Sequence, residues 1–209
     1  MVKYLVSTQS LGLLYSSDSH DPLHSFLQFK ETTTGLQVLC DANWGLMDAS
    51  KPNHTAPTVE QSLQSLQSIS GWFAIHSGAP IAWGCLRHKT TAESSCKAEV
   101  HSINEASKLI LQLKILFRDL HLPIQSSIPI YNDNQGAVHW SKGTTTKKMK
   151  WIDLRENVVR ENVLNKTISV THIPGANNLS DIFTEEFRDV SRFLELRNSF
   201  MVDTSRFRS

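Results

Sequence analysis

The pattern of apolar and polar positions along the chain predicts a mixed α/β domain. The run from Gly35 to Trp44 has apolar residues on both faces of a predicted strand. This pattern is typical of a strand at the centre of a sheet. The runs 70–76 and 80–86 flank Ser77-Gly78-Ala79 and predict a β-hairpin with a tight turn. Two later strands are predicted at 128–131 and 168–172.

Helical periodicity follows the hairpin. Apolar residues recur at helical spacing from Val100 to Leu120, behind a capping box formed by Thr90 and Glu93. Further helices are expected at 134–141, from Asn177 to Glu186, and before the C-terminus. A hairpin followed by alternating strands and helices predicts a mixed five-stranded sheet, antiparallel for its first three strands and then parallel, with helices on both faces.

Four carboxylates occupy related positions in this arrangement. Asp41 ends the central strand, Glu99 adjoins the inward stripe of the long helix, Asp133 follows a strand, and Asp181 lies in a late helical segment. An ionised side chain beside a central strand is costly unless a cation pairs with it. Taken singly, Glu99 is explained as a first-turn acid favoured by the helix dipole and Asp133 as a helix N-cap. A divalent cation needs several such ligands, so the four carboxylates together are a candidate metal site.

The segments around these acids resemble the ribonuclease H domain of a copia-type retrotransposon Pol polyprotein. The first motif of that family appears as Asp41-Ala42-Asn43-Trp44 and the second as Ser94-Ser95-Cys96-Lys97-Ala98-Glu99. The third is matched by Asp133-Asn134-Gln135-Gly136-Ala137 and the fourth by Ser180-Asp181-Ile182-Phe183-Thr184-Glu185. Each motif alone is a weak signal, whereas four in the family's order are a strong one.

The resemblance implies a ribonuclease H-like fold and a metal-dependent endonuclease that hydrolyses the RNA strand of RNA–DNA hybrids. It implies that Asp41, Glu99, Asp133 and Asp181 are catalytic and bind two Mg²⁺ or Mn²⁺ ions, which would activate water and neutralise the leaving oxygen. His172 is a further catalytic candidate, because many ribonucleases H outside the copia branch carry a histidine near the end of this strand that moves protons or aids product release. No departure from the family pattern removes one of the four acids.

Cations are locally in excess between residues 142 and 166. The formal net charge is only +1, so a nucleic-acid surface must be local rather than global. We expect this stretch to contact the phosphate backbone without reading sequence, the alternative being a solvated helix face. The candidate nucleic-acid-binding residues are Asn134, Gln135, Lys142, Lys147, Lys148, Lys150 and Arg155.

The length of 209 residues predicts one core domain with extensions. We assign the ribonuclease H-like domain to 35–202 and a frayed tail to 203–209. Residues 1–34 resemble the end of the reverse transcriptase that precedes this domain in the family, and the alternative is an N-terminal extension that pairs at the sheet edge. The segment 48–68 is expected to be a surface excursion.

Three cysteines without paired spacing indicate free thiols in a reducing compartment. No apolar run reaches the length of a membrane span, and no signal-peptide pattern is present. We therefore expect an intracellular protein without membrane contact, located in cytoplasmic virus-like particles, in the nucleus, or in both. By the resemblance, its partners are RNA–DNA hybrid and the reverse transcriptase part of the same polyprotein.

Two other functions remain open at this point. A catalytically idle, retrotransposon-derived fragment could keep the fold and act only as a nucleic-acid-binding or structural module. An integrase-like polynucleotidyl transferase would place its last acid as a glutamate on a late helix, and the order Asp, Glu, Asp, Asp argues against it.

Overall fold

The secondary structure is taken from a computed structural model, which describes residues 2–13, 15, 35–44, 67–89, 91–143, 157–187 and 190–207. The strands are β1 (Leu11–Leu13), β2 (Leu36–Asn43), β3 (Ile69–His76), β4 (Ala79–Arg87), β5 (Ile128–Asn132), β6 (Ile168–His172) and β7 (Met201–Asp203). The α-helices are α1 (Val2–Ser7), α2 (Ser95–Asp119), α3 (Gln135–Ser141), α4 (Asn157–Leu164) and α5 (Val190–Asn198). Single 3₁₀ turns cover Gly175–Asn177, Leu179–Phe183 and Thr204–Phe207.

The main sheet has five strands in the order β4-β3-β2-β5-β6. The pairs β2–β3 and β3–β4 are antiparallel, and the pairs β2–β5 and β5–β6 are parallel. The hairpin turns at Ser77 and Gly78, whose φ angles of 50° and 76° are typical of a two-residue turn matched to strand twist. The predicted mixed sheet, with its first strand at the centre, is confirmed.

Both faces of β2 are buried, as the apolar run predicts. Leu36, Val38 and Cys40 belong to one core cluster with α2 and α3, while Leu39 belongs to a second cluster on the other face. Leu196 of α5 and Leu179 of the 3₁₀ turn complete that second cluster. Helical layers therefore cover both faces of the sheet, and the acid that β2 carries lies between them.

The start of α2 differs from the prediction. The N-cap is Ser94, whose hydroxyl accepts a hydrogen bond from the Lys97 backbone N–H at 3.1 Å. The predicted capping box of Thr90 and Glu93 is therefore wrong. Glu93 forms an ion pair with Lys97 at 3.7 Å instead, and Thr90 lies outside the described residues.

The fourth motif does not lie in the single helix predicted from Asn177 to Glu186. Two 3₁₀ turns occupy this region, and Asn178 separates them. The Asn178 side chain accepts a hydrogen bond from the Ser180 backbone N–H and so begins the second turn, which carries Asp181. Asparagine favours such local bonds over helix continuation, which explains the break.

The predicted frayed tail from Asp203 is also wrong for the residues described. Met201–Asp203 forms β7, which pairs antiparallel with β1, and the Thr204 backbone N–H donates to the Ser10 carbonyl at 2.7 Å. Within the described part of the N-terminal extension, β1 pairs with β7 near the C-terminus, and the Tyr15 hydroxyl donates to the Pro80 carbonyl of the edge strand β4 at 2.9 Å. The domain boundaries at 34 and 202 stay predictions, and residues 48–66 of the predicted excursion at 48–68 lie outside the described residues. None of the helices described has the length and apolar character needed to cross a bilayer.

Candidate active site

Three of the four predicted acids lie together at one end of the central strands. One carboxylate oxygen from each of Asp41, Glu99 and Asp133 lies within 4.8 Å of the other two. The three residues come from β2, α2 and the residue after β5, so the fold and not local sequence brings them together. Asp41 and Glu99 are buried, with 7% and 5% of their surfaces exposed, and Asp133 is half-buried.

Asp133 is not the cap of the helix that follows it. The N-cap of α3 is Asn134, whose side-chain oxygen accepts from the Ala137 backbone N–H at 3.1 Å. The carboxylate of Asp133 is therefore free of the structural role that its position suggests in the sequence. Burial raises the pKa of this carboxyl above its usual value.

Glu99 lies in the second turn of α2 rather than the first, so the helix dipole does not explain it. Its Oε2 accepts a hydrogen bond of 2.8 Å from the side-chain amide of Asn132. Burial raises the pKa of Glu99, and the neighbouring charge of Asp41 raises it further, whereas the amide of Asn132 opposes both effects.

Asp41 is held by the fourth motif. Its Oδ2 accepts a hydrogen bond from the Thr184 hydroxyl, and Thr184 is itself buried. Burial raises the pKa of Asp41, Thr184 lowers it, and the charges of Asp133 and Glu185 raise it. The exposed Glu185 adds negative charge next to a site that is already acidic.

Asp181 lies beside the trio but outside the 4.8 Å cluster. Burial raises its pKa to about 8, and the charges of Asp41, Glu185 and Asp133 raise it in turn. Arg192 of α5 opposes them from 3.9 Å and donates a hydrogen bond of 2.7 Å to the Ala176 carbonyl.

Gly71 allows the turn that carries Asp181 to approach the sheet. Gly71 pairs with Asp41 across β2 and β3. A Cβ atom at this position would lie 2.8 Å from Cγ2 of Thr184 and 3.1 Å from the Ser180 carbonyl oxygen. Any larger residue would therefore push the turn away from Asp41.

His172 lies at the edge of the acidic cluster. Its ring Nε2 is 3.0 Å from the backbone carbonyl oxygen of Asp133, and its side chain is exposed. The nearby His172 opposes the upward shift in the pKa of Asp133. The exposed imidazole therefore lies next to the acids, where solvent reaches it.

The predicted nucleic-acid-binding residues are described only in part. Asn134 caps α3, Gln135 is exposed in its first turn, and Lys142 is exposed at its end. Near them, Arg160 lies over the buried ring of Trp140, 5.2 Å from the centroid, so that tryptophan packs in the core and does not stack on bases. The remaining candidates, Lys147, Lys148, Lys150 and Arg155, lie outside the described residues.

The donor set fits a hard divalent cation. It consists of carboxylate oxygens from separate elements, close enough to share one ion and buried enough to repel one another without it. Mg²⁺ and Mn²⁺ favour a few carboxylates together with water and substrate oxygens. The trio is therefore compatible with divalent metal binding.

Sequence reasoning missed several residues that support the acids. Asn132, Asn178 and Arg192 contact the site or the turn beside it, but nothing in the periodicity of the chain marks them. Asn132 and Asn178 lie within three residues of a predicted acid and are both fully buried. A polar amide next to a motif acid was the one available signal.

Comparison with known proteins agrees with the resemblance seen in the motifs. The chain is 28% identical over 160 residues to the retrovirus-related Pol polyprotein of transposon TNT 1-94 from Nicotiana tabacum, a match that covers 76% of this chain and 12% of that polyprotein. The predicted similarity to a copia-type Pol polyprotein is confirmed by this match. No family model matches the chain.

Two solved structures are similar in fold. Ribonuclease H1 of Halobacterium salinarum NRC-1 is 18% identical, with a TM-score of 0.45 over 69% of this chain and 89% of that one. LC11-RNase H1, isolated from compost, is 12% identical, with a TM-score of 0.49 over 71% of this chain and 91% of that one. The predicted α/β fold class, a five-stranded mixed sheet with helices on both faces, is confirmed by the sheet order.

Proposed function

We propose that this chain is a divalent-metal-dependent endonuclease that hydrolyses the RNA strand of RNA–DNA hybrids. One observation carries the proposal: three carboxylate oxygens from Asp41, Glu99 and Asp133 converge within 4.8 Å, although each acid is 34 or more positions from the next along the chain. Repulsion between buried like charges destabilises such a cluster unless it binds a cation. The presence of this carboxylate cluster in the fold therefore supports a function that requires a bound cation.

The choice of hybrid as substrate comes from the motifs. All four motifs resemble the ribonuclease H domain of copia-type polyproteins, and the sequence match to a Pol polyprotein supports the same assignment. A protein selects a hybrid through A-form shape and 2′-hydroxyl groups on one strand. The exposed Gln135 and Lys142 on α3 offer polar and cationic contacts to a backbone that approaches the acids.

Asp41, Glu99 and Asp133 would hold two Mg²⁺ or Mn²⁺ ions, with Asp181 as an outer ligand. When bound, the ions would activate a water molecule and neutralise negative charge on the phosphoryl oxygens and on the leaving 3′ oxygen. Thr184 keeps the carboxylate of Asp41 in place through its hydroxyl. His172, exposed at the rim, is placed to accept a proton from the site and release it to solvent.

The test is a cleavage assay on an RNA–DNA hybrid with Mg²⁺, with Mn²⁺ and with EDTA. Asp133→Asn keeps the size of the side chain and removes its charge, so we expect cleavage to fall by at least about 100-fold and the metal-induced rise in Tm to shrink. Asn134 caps α3, so the substitution leaves that helix end unchanged. The matched control is Asp119→Asn, which removes one exposed charge at the far end of α2.

Cleavage by the wild type that is insensitive to EDTA, or that survives in Asp133→Asn, contradicts the proposal. A wild type that binds hybrid without cutting it with either metal would instead identify an idle nucleic-acid-binding module. A duplex of DNA and a duplex of RNA serve as competitors, and equal cleavage of all three would contradict the assignment of hybrid as substrate.

A further inference from the structure

Two buried asparagines converge on one backbone carbonyl at the centre of the site. The side-chain amide of Asn132 donates to the Cys40 carbonyl at 3.1 Å, and that of Asn178 donates to the same oxygen at 3.2 Å. Both asparagines have no exposed surface. Cys40 immediately precedes Asp41, so this carbonyl fixes the backbone from which the first acid projects.

The strand ladder explains why side chains serve this carbonyl. The parallel register between β2 and β5 covers only Val38–Ile130 and Leu39–Tyr131, and it stops one residue before Cys40. Beyond that point come Asp41 in β2 and Asp133 after β5, and the side-chain amide of Asn132 replaces the backbone contact between the two strands. A buried carbonyl without a donor is unfavourable by about 1–3 kcal/mol, so these bonds matter to the folded state.

Each asparagine also contacts a second acidic element. Asn132 donates to Glu99 Oε2 at 2.8 Å, and its own oxygen accepts from the Asn134 backbone N–H at 3.0 Å, across the residue that is Asp133. Asn178 accepts from the Ser180 hydroxyl at 2.5 Å and caps the turn that carries Asp181. Through the Cys40 carbonyl oxygen, the two amides therefore link the segments that carry all four acids.

We propose that Asn132 and Asn178 are positioning residues that hold the four acidic elements in one arrangement for the divalent cation. This inference rests on the proposed function, because the acids need positioning only if they bind the cation. Both residues are neutral donors, so they fix the carboxylates without neutralising them. Lysine or arginine at either position would compete with the cation, and aspartate could not donate to the Cys40 carbonyl.

Replacement by serine isolates this role. Asn178→Ser keeps a good N-cap for the turn, because serine and asparagine cap about equally well. The serine side chain is too short to donate to the Cys40 carbonyl. Asn132→Ser removes the donors to both Glu99 and Cys40. The matched control is Asn162→Ser, since Asn162 donates to the Ser107 hydroxyl at 3.1 Å in another part of the fold.

The measurement is Mn²⁺ binding to the full chain without nucleic acid, by calorimetry and by electron paramagnetic resonance, alongside the Tm in EDTA. We expect the Kd for Mn²⁺ to rise by about 10–100-fold in Asn132→Ser, as is typical when residues behind metal ligands are replaced. Asn178→Ser should raise it by a smaller factor. Asn162→Ser should lower the Tm and leave the Kd unchanged.

The double variant tests the shared carbonyl. If both amides act through Cys40, removing both leaves that oxygen without a side-chain donor, and the Kd should rise by more than the product of the two single effects. A Kd within about twofold of wild type in folded Asn132→Ser overturns the inference, as does a strictly multiplicative double variant. Should Asn132→Ser fail to fold, an unchanged Kd in Asn178→Ser overturns it alone.

Cleavage of hybrid, measured on the same samples, separates the inference from the proposed function. A wild type that binds Mn²⁺ without cutting hybrid overturns the function and leaves positioning to be judged by the Kd values. A wild type that binds no Mn²⁺ overturns both.

Discussion

The pH dependence of stability without metal provides a direct test of how the site is built. The perturbation is Asp181→Asn, compared with wild type in EDTA. Asp181 is an acid whose pKa rises from 3.8 to about 8 on folding, first through burial and then through the charges of Asp41 and its neighbours. The folded state therefore retains a proton that the unfolded chain releases at neutral pH.

The sign and size follow from linkage. A raised folded-state pKa for an acid gives stability that is fully present below the unfolded pKa near 4 and is lost as the pH rises through about 8. One such group lowers the free energy of unfolding by about 1.4 kcal/mol per pH unit within that window, or up to about 4 kcal/mol between pH 5 and pH 8. Asp41, Glu99 and Asp133 have raised pKa values too, so the wild-type slope is expected to be steeper than one group gives.

Urea unfolding followed by circular dichroism in EDTA, at half-unit steps from pH 4.5 to pH 8.5, measures the slope. The slope of the free energy of unfolding against pH should be smaller in Asp181→Asn than in wild type by about 1.4 kcal/mol per pH unit, and the variant should be more stable at pH 8. Asp119→Asn, an exposed acid roughly 30 Å along α2 from Glu99, should keep the wild-type slope. A wild type that gains stability as the pH rises, or an equal slope in Asp181→Asn, refutes the reasoning.

Two further predictions concern the surroundings of the acids. Glu185→Lys should weaken Mn²⁺ binding by about two- to fivefold at low salt and by less at high salt, because it places a screened positive charge near the site, whereas Glu186→Lys is the control at the adjacent exposed position. An equal effect of both substitutions would assign the change to net charge alone. Gly71→Ala should lower stability by about 1–3 kcal/mol and reduce the metal-induced rise in Tm, because the new Cβ meets Thr184 at 2.8 Å. A Tm unchanged in EDTA and in Mn²⁺ would indicate that the turn moves away at no cost.

Much of the fold follows from local patterns. Apolar positions on both faces of 36–43 require a central strand, and the hairpin at Ser77-Gly78 then fixes its antiparallel neighbours. The features that sequence reasoning missed depend on contacts distant in the chain. β1 and β7 are three residues long and pair across about 190 positions, which no periodicity in a short window reveals.

The acids were predictable and their supports were not. Motif order predicts that Asp41, Glu99, Asp133 and Asp181 form one site, and the fold brings the first three together. The role of Asn132 depends on the point at which β2 and β5 stop pairing, and that point depends on the register of two strands about 90 residues apart. The alternative explanation of Asp133 as a cap was reasonable from sequence because Asn134, one position later, has the same capping chemistry.

The neutrality of the supports explains how the fold keeps charge available for a cation. The side chains that donate hydrogen bonds to the carboxylates of Asp41 and Glu99 are neutral: the Thr184 hydroxyl donates to Asp41, and the Asn132 amide and the Ser102 hydroxyl donate to Glu99. Such donors orient a carboxylate while leaving its charge in place, whereas a buried guanidinium would neutralise it and compete with the metal. Burial then makes the uncompensated charge unfavourable in the apo state, so the same desolvation that raises the pKa values of these acids strengthens their attraction for a divalent ion. Stability of the apo protein and affinity for metal are thus expected to change in opposite directions when an acid is removed, and in the same direction when a supporting amide is removed.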